Sequence, residues 1–264
     1  MHRITLTCVM IFWSGGALAQ DHVDRLITAM RVPELVEIIS KEGMQGAKDL
    51  DADMLGGAGG SVWLQQARQI YSPMRLKALI SSHLSDHYIG TDVEAALLFL
   101  ESDLGQWIIQ LEVDARSAFM DPDVEAAARR IAEENPPLMY VSRYIEINDL
   151  VELNVQNALQ SDLRFAQGLV AGGMEGLSEE DMLSDTWASE PAYRADIVSW
   201  LQAYVTLALS PMEDQDIETY LAFCKTDVGQ RLNRAIFEAY GAAYEDISFA
   251  LGQAAALFLT EDEI

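Results

Sequence analysis

Apolar residues recur at spacings of three and four positions along most of the chain, which is the period of a helix with one buried face. One such stripe begins after Pro33, and a longer one runs through residues 236–257. Strict alternation of apolar and polar residues is absent, and so are the Asn-Gly and Asp-Gly pairs typical of hairpins. The pattern therefore predicts an all-α protein, a helical bundle. The predicted helices are 21–31, 33–42, 61–71, 73–89, 92–101, 103–120, 122–134, 138–170, 178–189, 191–208, 213–225 and 227–259.

Residues that favour helix ends fall between these segments. Thr91-Asp-Val-Glu94 is a capping box, in which the hydroxyl and the carboxylate satisfy each other's free amide groups. Ser178 to Asp181 is a weaker form of the same signal. Gly43 and Gly90 suit helix C-termini, where a left-handed residue closes the last turn. Three prolines suit first helical turns, where no N–H is needed: Pro73, Pro122 and Pro191.

The sequence also repeats itself. Residues 92–106 align without a gap on residues 216–230, and seven of the fifteen positions are identical. The same offset places Trp63 on Trp187. Self-similarity of this kind is the signature of a duplicated unit. The identical pairs are Asp92/Asp216, Glu94/Glu218, Leu97/Leu221, Phe99/Phe223, Asp103/Asp227, Gly105/Gly229 and Gln106/Gln230.

A second match locates the boundary between the two copies. Residues 23–35 match residues 141–153 at a slightly smaller offset. The boundary falls at Asn135-Pro136-Pro137, because two prolines cannot continue a helix. The matches predict two tandem copies of one helical repeat unit. The first copy covers residues 20–135 and the second covers residues 136–264.

The repeated segment predicts a corner between two helices. Its serine or threonine is placed to cap the second helix. Its glycine, in the first turn, costs about 0.5–1 kcal/mol relative to alanine, which indicates a close approach of two backbones. Its glutamine is placed to bond the exposed end of the preceding helix. We expect a corner that fixes packing, with a ligand site as the alternative. These positions are Ser102, Gly105 and Gln106 in the first copy and Thr226, Gly229 and Gln230 in the second.

The repeated pattern reads Asp/Glu-x-x-x-x-Leu-x-Phe-x-x-Ser/Thr-x-x-Gly-Gln, and it is clearest over residues 94–106 and 218–230. It resembles the bacterial secreted family catalogued as domain of unknown function 2059. The motif covers only some tens of residues, but the duplication extends the likeness to most of the chain. The resemblance implies a helical envelope protein. It implies no known activity, so no catalytic residue is carried over from it.

Residues 1–19 predict a cleaved secretory signal peptide. Arg3 gives a positive start, an apolar run follows, and Ala17 and Ala19 are the small residues before a cut ahead of Gln20. A membrane anchor is the alternative, but residues 4–19 number sixteen, fewer than the roughly 20 that span a bilayer. No later segment is apolar enough to span a membrane. We therefore expect a periplasmic protein without a transmembrane segment after the signal is removed.

Charge narrows the range of partners. The chain of 264 residues has 42 acidic and 17 basic side chains, a formal net charge of −25 at pH 7. This excess argues against binding to nucleic acid, because little basic charge is present to neutralise phosphates. It argues equally against a polybasic membrane-surface protein. It favours cationic partners.

Cys224 is the sole cysteine of the mature chain, because Cys8 lies in the signal peptide. An internal disulfide is therefore excluded, although the expected compartment would permit one. Leu100 stands at the matching position of the first copy, which favours a buried, apolar role for Cys224. A redox or catalytic thiol is the alternative. Four tryptophans are expected to be core anchors: Trp63, Trp107, Trp187 and Trp200.

His83 and His87 form the pattern closest to a zinc site. Four residues apart on a helix, their imidazoles share one face. Leu84 stands where a metalloprotease has glutamate, however, and two ligands do not close a site. We expect an exposed polar helix face, with metal binding as the alternative.

Asp49, Asp51 and Asp53 begin like a calcium-binding loop. Met54 then replaces the glycine of the sharp turn, and Gly60 replaces the bidentate glutamate. A solvated acidic loop is the favoured interpretation, with calcium binding as the alternative.

The sequence thus assigns no catalytic, cofactor-binding or metal-binding residue. The favoured hypothesis is a non-catalytic module that docks another envelope protein or an apolar ligand. The alternative is a metal-dependent or hydrolytic periplasmic enzyme that uses His83, His87 and nearby acids. A lipid carrier, which needs an apolar cavity between the two copies, is a third hypothesis.

Overall fold

The computed structural model describes residues 15–88 and 91–259, with side chains over 21–88 and 93–259. Every regular element in these ranges is an α-helix, so the predicted all-α class is confirmed. The helices are α1 (Gly15–Ala29), α2 (Val32–Asp53), α3 (Gly60–Ile70), α4 (Pro73–His87), α5 (Thr91–Leu100), α6 (Asp103–Ala118), α7 (Pro122–Glu134), α8 (Met139–Ile147), α9 (Leu150–Ala171), α10 (Glu179–Leu209), α11 (Asp214–Cys224) and α12 (Asp227–Leu259).

Helix α2 continues well beyond its predicted end. The prediction that Gly43 closes the helix is wrong, because α2 runs to Asp53. Gly43 instead makes room for an aromatic ring: a Cβ at this position would lie 2.1 Å from Cε1 of Tyr71. Gly90, the other predicted C-terminal glycine, lies outside the described residues.

We call residues 20–135 the first half and residues 136–264 the second half. A residue with a left-handed backbone conformation precedes the second helix of each half. Arg31 and Asp149 both have φ of 51°, and each is followed by a helix of 22 residues. This conformation is uncommon outside glycine. The prediction of one helix over 138–170 is therefore wrong, since the chain turns at Asp149 between α8 and α9.

Helix α10 is continuous where the sequence predicts two helices. Pro191 lies inside α10 and does not begin a new helix. Since proline has no N–H, the carbonyl of Trp187 cannot accept the usual helical hydrogen bond from position 191. At the start of α10 the amide of Asp181 donates to Ser178 Oγ at 3.1 Å, which confirms the predicted cap.

Most of the buried apolar residues fall into two clusters, and each cluster combines helices of both halves. The first cluster joins α1 to α5 with Leu169 of α9 and residues 232–256 of α12. The second cluster joins α8, α10 and α11 with Ile108 of α6. Thus α12 of the second half completes the first cluster, and α6 of the first half completes the second. The two halves are interlocked.

Helices α9 and α12 pack against each other through glycines. A Cβ on Gly168 would lie 2.2 Å from the carbonyl oxygen of Phe249, and a Cβ on Gly252 would lie 2.1 Å from that of Phe165. Only hydrogen atoms fit at these two positions, so the helix axes come close. The facing residues follow the same order along both helices, which makes the helices parallel: Asn157 with Gly241, Gly168 with Gly252, and Gly172 with Ala256.

Residues 135–138 are an exposed link between α7 and α8, as the two prolines predict. None of the helices in the described ranges has the length and apolar character needed to cross a membrane. Helix α1 begins at Gly15 and includes the end of the predicted signal peptide, whose residues 1–14 lie outside the described residues.

Candidate functional site

The corner between α5 and α6 and the corner between α11 and α12 have the same cap; we call them the first and second corner. In the first corner the amide of Gly105 donates to Ser102 Oγ at 3.1 Å. In the second corner the amide of Gly229 donates to Thr226 Oγ1 at 3.0 Å. Both capping roles predicted from the repeated segment are confirmed.

The two corner glycines are required by close backbone contact. A Cβ on Gly105 would lie 2.1 Å from the carbonyl oxygen of Phe99. A Cβ on Gly229 would lie 2.3 Å from the carbonyl oxygen of Phe223. The predicted close approach is therefore confirmed at both corners. It accounts for glycine in the first turn of a helix, where alanine would otherwise be favoured.

The corner glutamines each tie two helix ends together. Gln106 Nε2 donates to the carbonyl of Leu100 at the end of α5 and to that of Ala29 at the end of α1. The predicted bond to the preceding helix is confirmed, and the second bond closes the corner onto α1. Gln230 Nε2 makes the matching pair of bonds at 2.8 Å, to Cys224 O and Ile147 O.

An aromatic contact joins the two corners directly. The rings of Phe99 and Phe223 stack with centroids 4.0 Å apart and planes 7° apart. An arginine lies beside each corner as well: Arg25 donates to Glu94 at 2.9 Å, and Arg143 donates to Glu218. These contacts are structural, and they occupy the corner residues with partners inside the protein.

A polar group stands inside the otherwise apolar second cluster. Glu112 of α6 is half-buried, and its Oε1 lies at hydrogen-bond distance from Tyr144 Oη, at 3.1 Å, and from Tyr220 Oη, at 3.0 Å. Tyr204 Oη donates to the main-chain carbonyl of Glu112 at 3.0 Å. We call these four residues the Glu112 cluster. Three tyrosines of the second half thus hold one glutamate of the first.

Withdrawal from water dominates the electrostatics of this cluster. It raises the pKa of Glu112, while the bonds from Tyr220 and Tyr144 act in the opposite direction. It also raises the pKa of both tyrosines well above the usual value. Burial raises the pKa of the nearby Cys224 thiol to about 12, and Cys224 is 5% exposed, so its predicted burial is confirmed.

Sequence reasoning does not identify the Glu112 cluster, because 42 acidic residues give no reason to single out one of them. Comparison of the two halves carries the missing signal. The repeat matches Glu112, Tyr220 and Tyr144 to three positions that hold apolar residues. All three of these apolar residues pack in the first cluster. The matching pairs are Glu112/Ile236, Tyr220/Ala96 and Tyr144/Leu26.

One turn along α6, Arg116 links α2 to α10. Its Nε and Nη2 donate to both carboxylate oxygens of Glu42, at 2.9 and 2.7 Å. Its guanidinium carbon lies 5.2 Å from the ring centroid of Trp200. A paired, planar guanidinium over an indole is a packing contact between helices. It leaves Arg116 engaged on two sides.

The histidine pair lies on the last turns of α4. The rings of His83 and His87 are 4.4 Å apart between centroids; His83 is half-buried and His87 is exposed. Within the described part of the chain, no group of three or more histidine, cysteine, aspartate or glutamate side chains could hold a metal ion.

The three aspartates lie on the last turns of α2, so the interpretation of an acidic loop is wrong. The helix extends over them because Gly43 and Gly46 continue it. The carboxylate of Asp51 accepts from the amides of Gly59 and Gly60, at 3.0 and 3.2 Å, and so caps the start of α3. This carboxylate therefore has a structural role.

Two of the four tryptophans depart from the expectation of core anchors. Trp63 is fully buried, as predicted, and donates from Nε1 to the carbonyl of Ala47 at 2.6 Å. Trp107 and Trp187 instead retain 38% and 65% of their surface. The neighbouring residue Thr186 is buried in place of Trp187, with 9% of its surface exposed.

Trp187 is part of an exposed apolar face on α10. Leu183, one turn earlier on the same face, is 39% exposed. No lysine or arginine occurs between Arg164 and Arg194, whereas six acidic residues do. We call Leu183, Trp187 and the flanking acids Glu179, Glu180 and Asp185 the Trp187 surface.

A groove of about 460 Å³ lies between the α3–α4 region of the first half and the end of α12. Its lining mixes the amides of Gln66, Gln69 and Gln253 with Ile70 and Leu257. It is open to solvent and partly polar. It therefore does not provide the enclosed apolar cavity that a lipid carrier needs.

Comparison of the chain with family models, curated proteins and solved structures gives no match.

Proposed function

We propose that this chain is an exported, periplasmic helical protein built from two copies of one unit, and that it acts without catalysis. Its role is to dock a basic, amphipathic segment of another envelope protein on the Trp187 surface. The resemblance of the repeated segment to a secreted bacterial family supports the location. N-terminal sequencing of the exported protein tests it, with Gln20 expected as the first residue.

The matched corners support the duplication. A capping hydroxyl, a glycine against a carbonyl and a glutamine that bonds two helix ends occur at corresponding places in both halves. The left-handed residue before α2 also has a counterpart before α9. One ancestral unit that was copied accounts for the recurrence of all four features.

The Trp187 surface is the observation that carries the docking role. An exposed tryptophan beside an exposed leucine forms an apolar patch, and tryptophan is one of the residue types that most often anchor protein interfaces. The exposed acids around Trp187 favour a cationic partner.

Site-specific photocrosslinking in cells tests this proposal. A photoreactive residue in place of Trp187 is expected to capture a protein partner, whereas the same residue at Val62, which is 57% exposed on α3, is the matched control. Overproduction of the unmodified protein in the same cells is expected to lower the capture of the partner, because docking is saturable.

Charge dependence identifies the kind of partner. The combined change Glu179→Gln, Glu180→Gln and Asp185→Asn removes three negative charges from exposed positions, so capture is expected to fall severalfold, and added salt is expected to weaken it in the unmodified protein. Equal capture by the neutralised variant would refute a basic partner. Crosslinks only to a second copy of the chain, or only to lipid, would refute docking of another protein.

A further inference from the structure

Three oxygen atoms form a closed triangle in the Glu112 cluster. Glu112 Oε1 lies 3.1 Å from Tyr144 Oη and 3.0 Å from Tyr220 Oη. The two phenol oxygens lie 2.9 Å from each other. Each distance is that of a hydrogen bond, so each of the three edges requires a proton between its two oxygens.

The number of protons depends on the ionisation of the carboxyl group. The two tyrosines supply one proton each, and burial keeps both in the neutral form. An ionised Glu112 supplies none, so one edge of the triangle would bring two oxygens together without a proton. A neutral carboxylic acid supplies the third proton. Each oxygen then donates once and accepts once around the ring.

We propose that Glu112 is held as a neutral carboxylic acid in the folded protein, and that its hydrogen-bonded ring with Tyr144 and Tyr220 fastens α6 of the first half to α8 and α11 of the second. Ionisation of Glu112 removes the third proton and leaves a negative charge in the cluster. The contact between the two halves therefore loosens as the pH rises.

The groups around Glu112 leave the carboxyl without a counter-charge in contact with it. Arg116 is one turn away on the same helix, and both carboxylate oxygens of Glu42 accept hydrogen bonds from its guanidinium. The titratable groups that approach from the packed helices are neutral and resist ionisation, because burial raises the pKa of each of them. They are Tyr144 of α8, Tyr204 of α10, and Tyr220 and Cys224 of α11.

The direction of the pH dependence follows from the raised pKa. In the unfolded chain the Glu112 carboxyl ionises near its usual value of 4.5, and in the folded protein it ionises at higher pH. Its contribution to stability is complete below about 4.5 and is lost as the pH rises to the folded pKa. Across that window the folding equilibrium constant falls about tenfold for each pH unit.

Infrared spectroscopy of the mature protein at neutral pH tests the ionisation state. The carbonyl stretch of a protonated carboxyl is expected in the unmodified protein, and the Glu112→Gln variant is expected to lack it. Asp114→Asn, which removes an exposed carboxyl from the same helix, is the matched control and is expected to keep the band. Absence of the band from the unmodified protein, or its persistence in Glu112→Gln, would overturn the proposal.

Urea unfolding from mildly acidic to alkaline pH tests the coupling to the fold. The unmodified protein and Asp114→Asn are expected to lose stability together as the pH rises. The part of this pH dependence that comes from ionisation of Glu112 is expected to be absent from Glu112→Gln. Parallel pH profiles for all three proteins would contradict the proposal. If Glu112→Gln does not fold, Tyr220→Phe serves in its place: it removes one ring proton, so the carboxyl band shifts, and an unshifted band counts against the ring.

Discussion

At the scale of single residues, Gly105 and Gly229 occupy positions where a hydrogen atom is all that fits beside a carbonyl. Replacement by alanine places a Cβ 2.1 Å from Phe99 O in one corner and 2.3 Å from Phe223 O in the other. The obstructing atoms are backbone, so each corner must open. We expect Gly105→Ala and Gly229→Ala each to lower the free energy of unfolding by about 2–3 kcal/mol in urea titrations.

Gly46 provides the matched control for these two substitutions. It also lies inside a helix, α2, but nothing stands within 4 Å of a Cβ built there. Gly46→Ala is expected to raise the free energy of unfolding by about 0.5–1 kcal/mol, since alanine favours the helix. Corner variants as stable as the unmodified protein would disprove the close approach.

The Cys224 thiol is expected to be unreactive in the folded protein. Its pKa is raised to about 12 and its surface is 5% exposed, so the reactive thiolate is scarce and shielded. In the mature protein, labelling with a thiol reagent is expected to be at least an order of magnitude slower in buffer than in urea. Equally rapid labelling in both solutions would indicate an accessible, activated thiol.

The residues of the corners were predictable because their chemistry is local. Ser102, Gly105 and Gln106 act within a few positions of one another, so their spacing carries the information. The Glu112 cluster has no such spacing, because its members come from helices α6, α8, α10 and α11. Its existence depends on how those helices pack, which no local pattern encodes.

At the scale of helices, tertiary contacts decided where several elements end. Gly43 favours a helix end by itself, yet the packing of Tyr71 against it keeps α2 intact. Pro191 favours a helix start, yet α10 continues through it. Helix α12, by contrast, extends over 227–259 as its apolar stripe predicts, because no proline interrupts that stripe.

The parallel contact between α9 and α12 is expected to be sensitive to added volume. Gly168→Ala and Gly252→Ala each drive a methyl group into the backbone of the facing helix. We expect each to lower the free energy of unfolding by about 1–3 kcal/mol, measured by chemical denaturation.

A double-mutant cycle separates this steric effect from helix propensity. Gly168 and Gly252 face each other, since a Cβ on either would lie about 3 Å from the Cα of the other. Once one methyl group has pushed the helices apart, the second costs less, so the double variant is expected to be more stable than the sum of the single effects indicates. Strict additivity would argue against direct contact.

At the scale of the whole molecule, the two halves are joined by a short exposed link but share both buried clusters. The predicted seam at Asn135 is therefore a boundary in the chain and not in the packing. The class of the fold could be predicted from periodicity, because the apolar residues of most helices recur at helical spacing. The packing of α12 in the first cluster could not be predicted, since local spacing does not encode which distant helices pack together.

Cleavage of the link tests this interlocking. We expect a protease nick within residues 135–138, introduced through an engineered cleavage site, to leave the two fragments in one complex during gel filtration. Each fragment alone is expected to be largely unfolded by circular dichroism, because each lacks a helix that completes its cluster. Folded, separate fragments would contradict the shared clusters.

The exchange of α6 and α12 between the clusters has a consequence for any shorter version of the molecule. A chain that contained one half could cover its apolar surface only by exchanging a helix with a second molecule. The stability of its folded state would then depend on the protein concentration. Joining both halves in one polypeptide replaces that encounter with an intramolecular one. The folded protein can thus persist at high dilution.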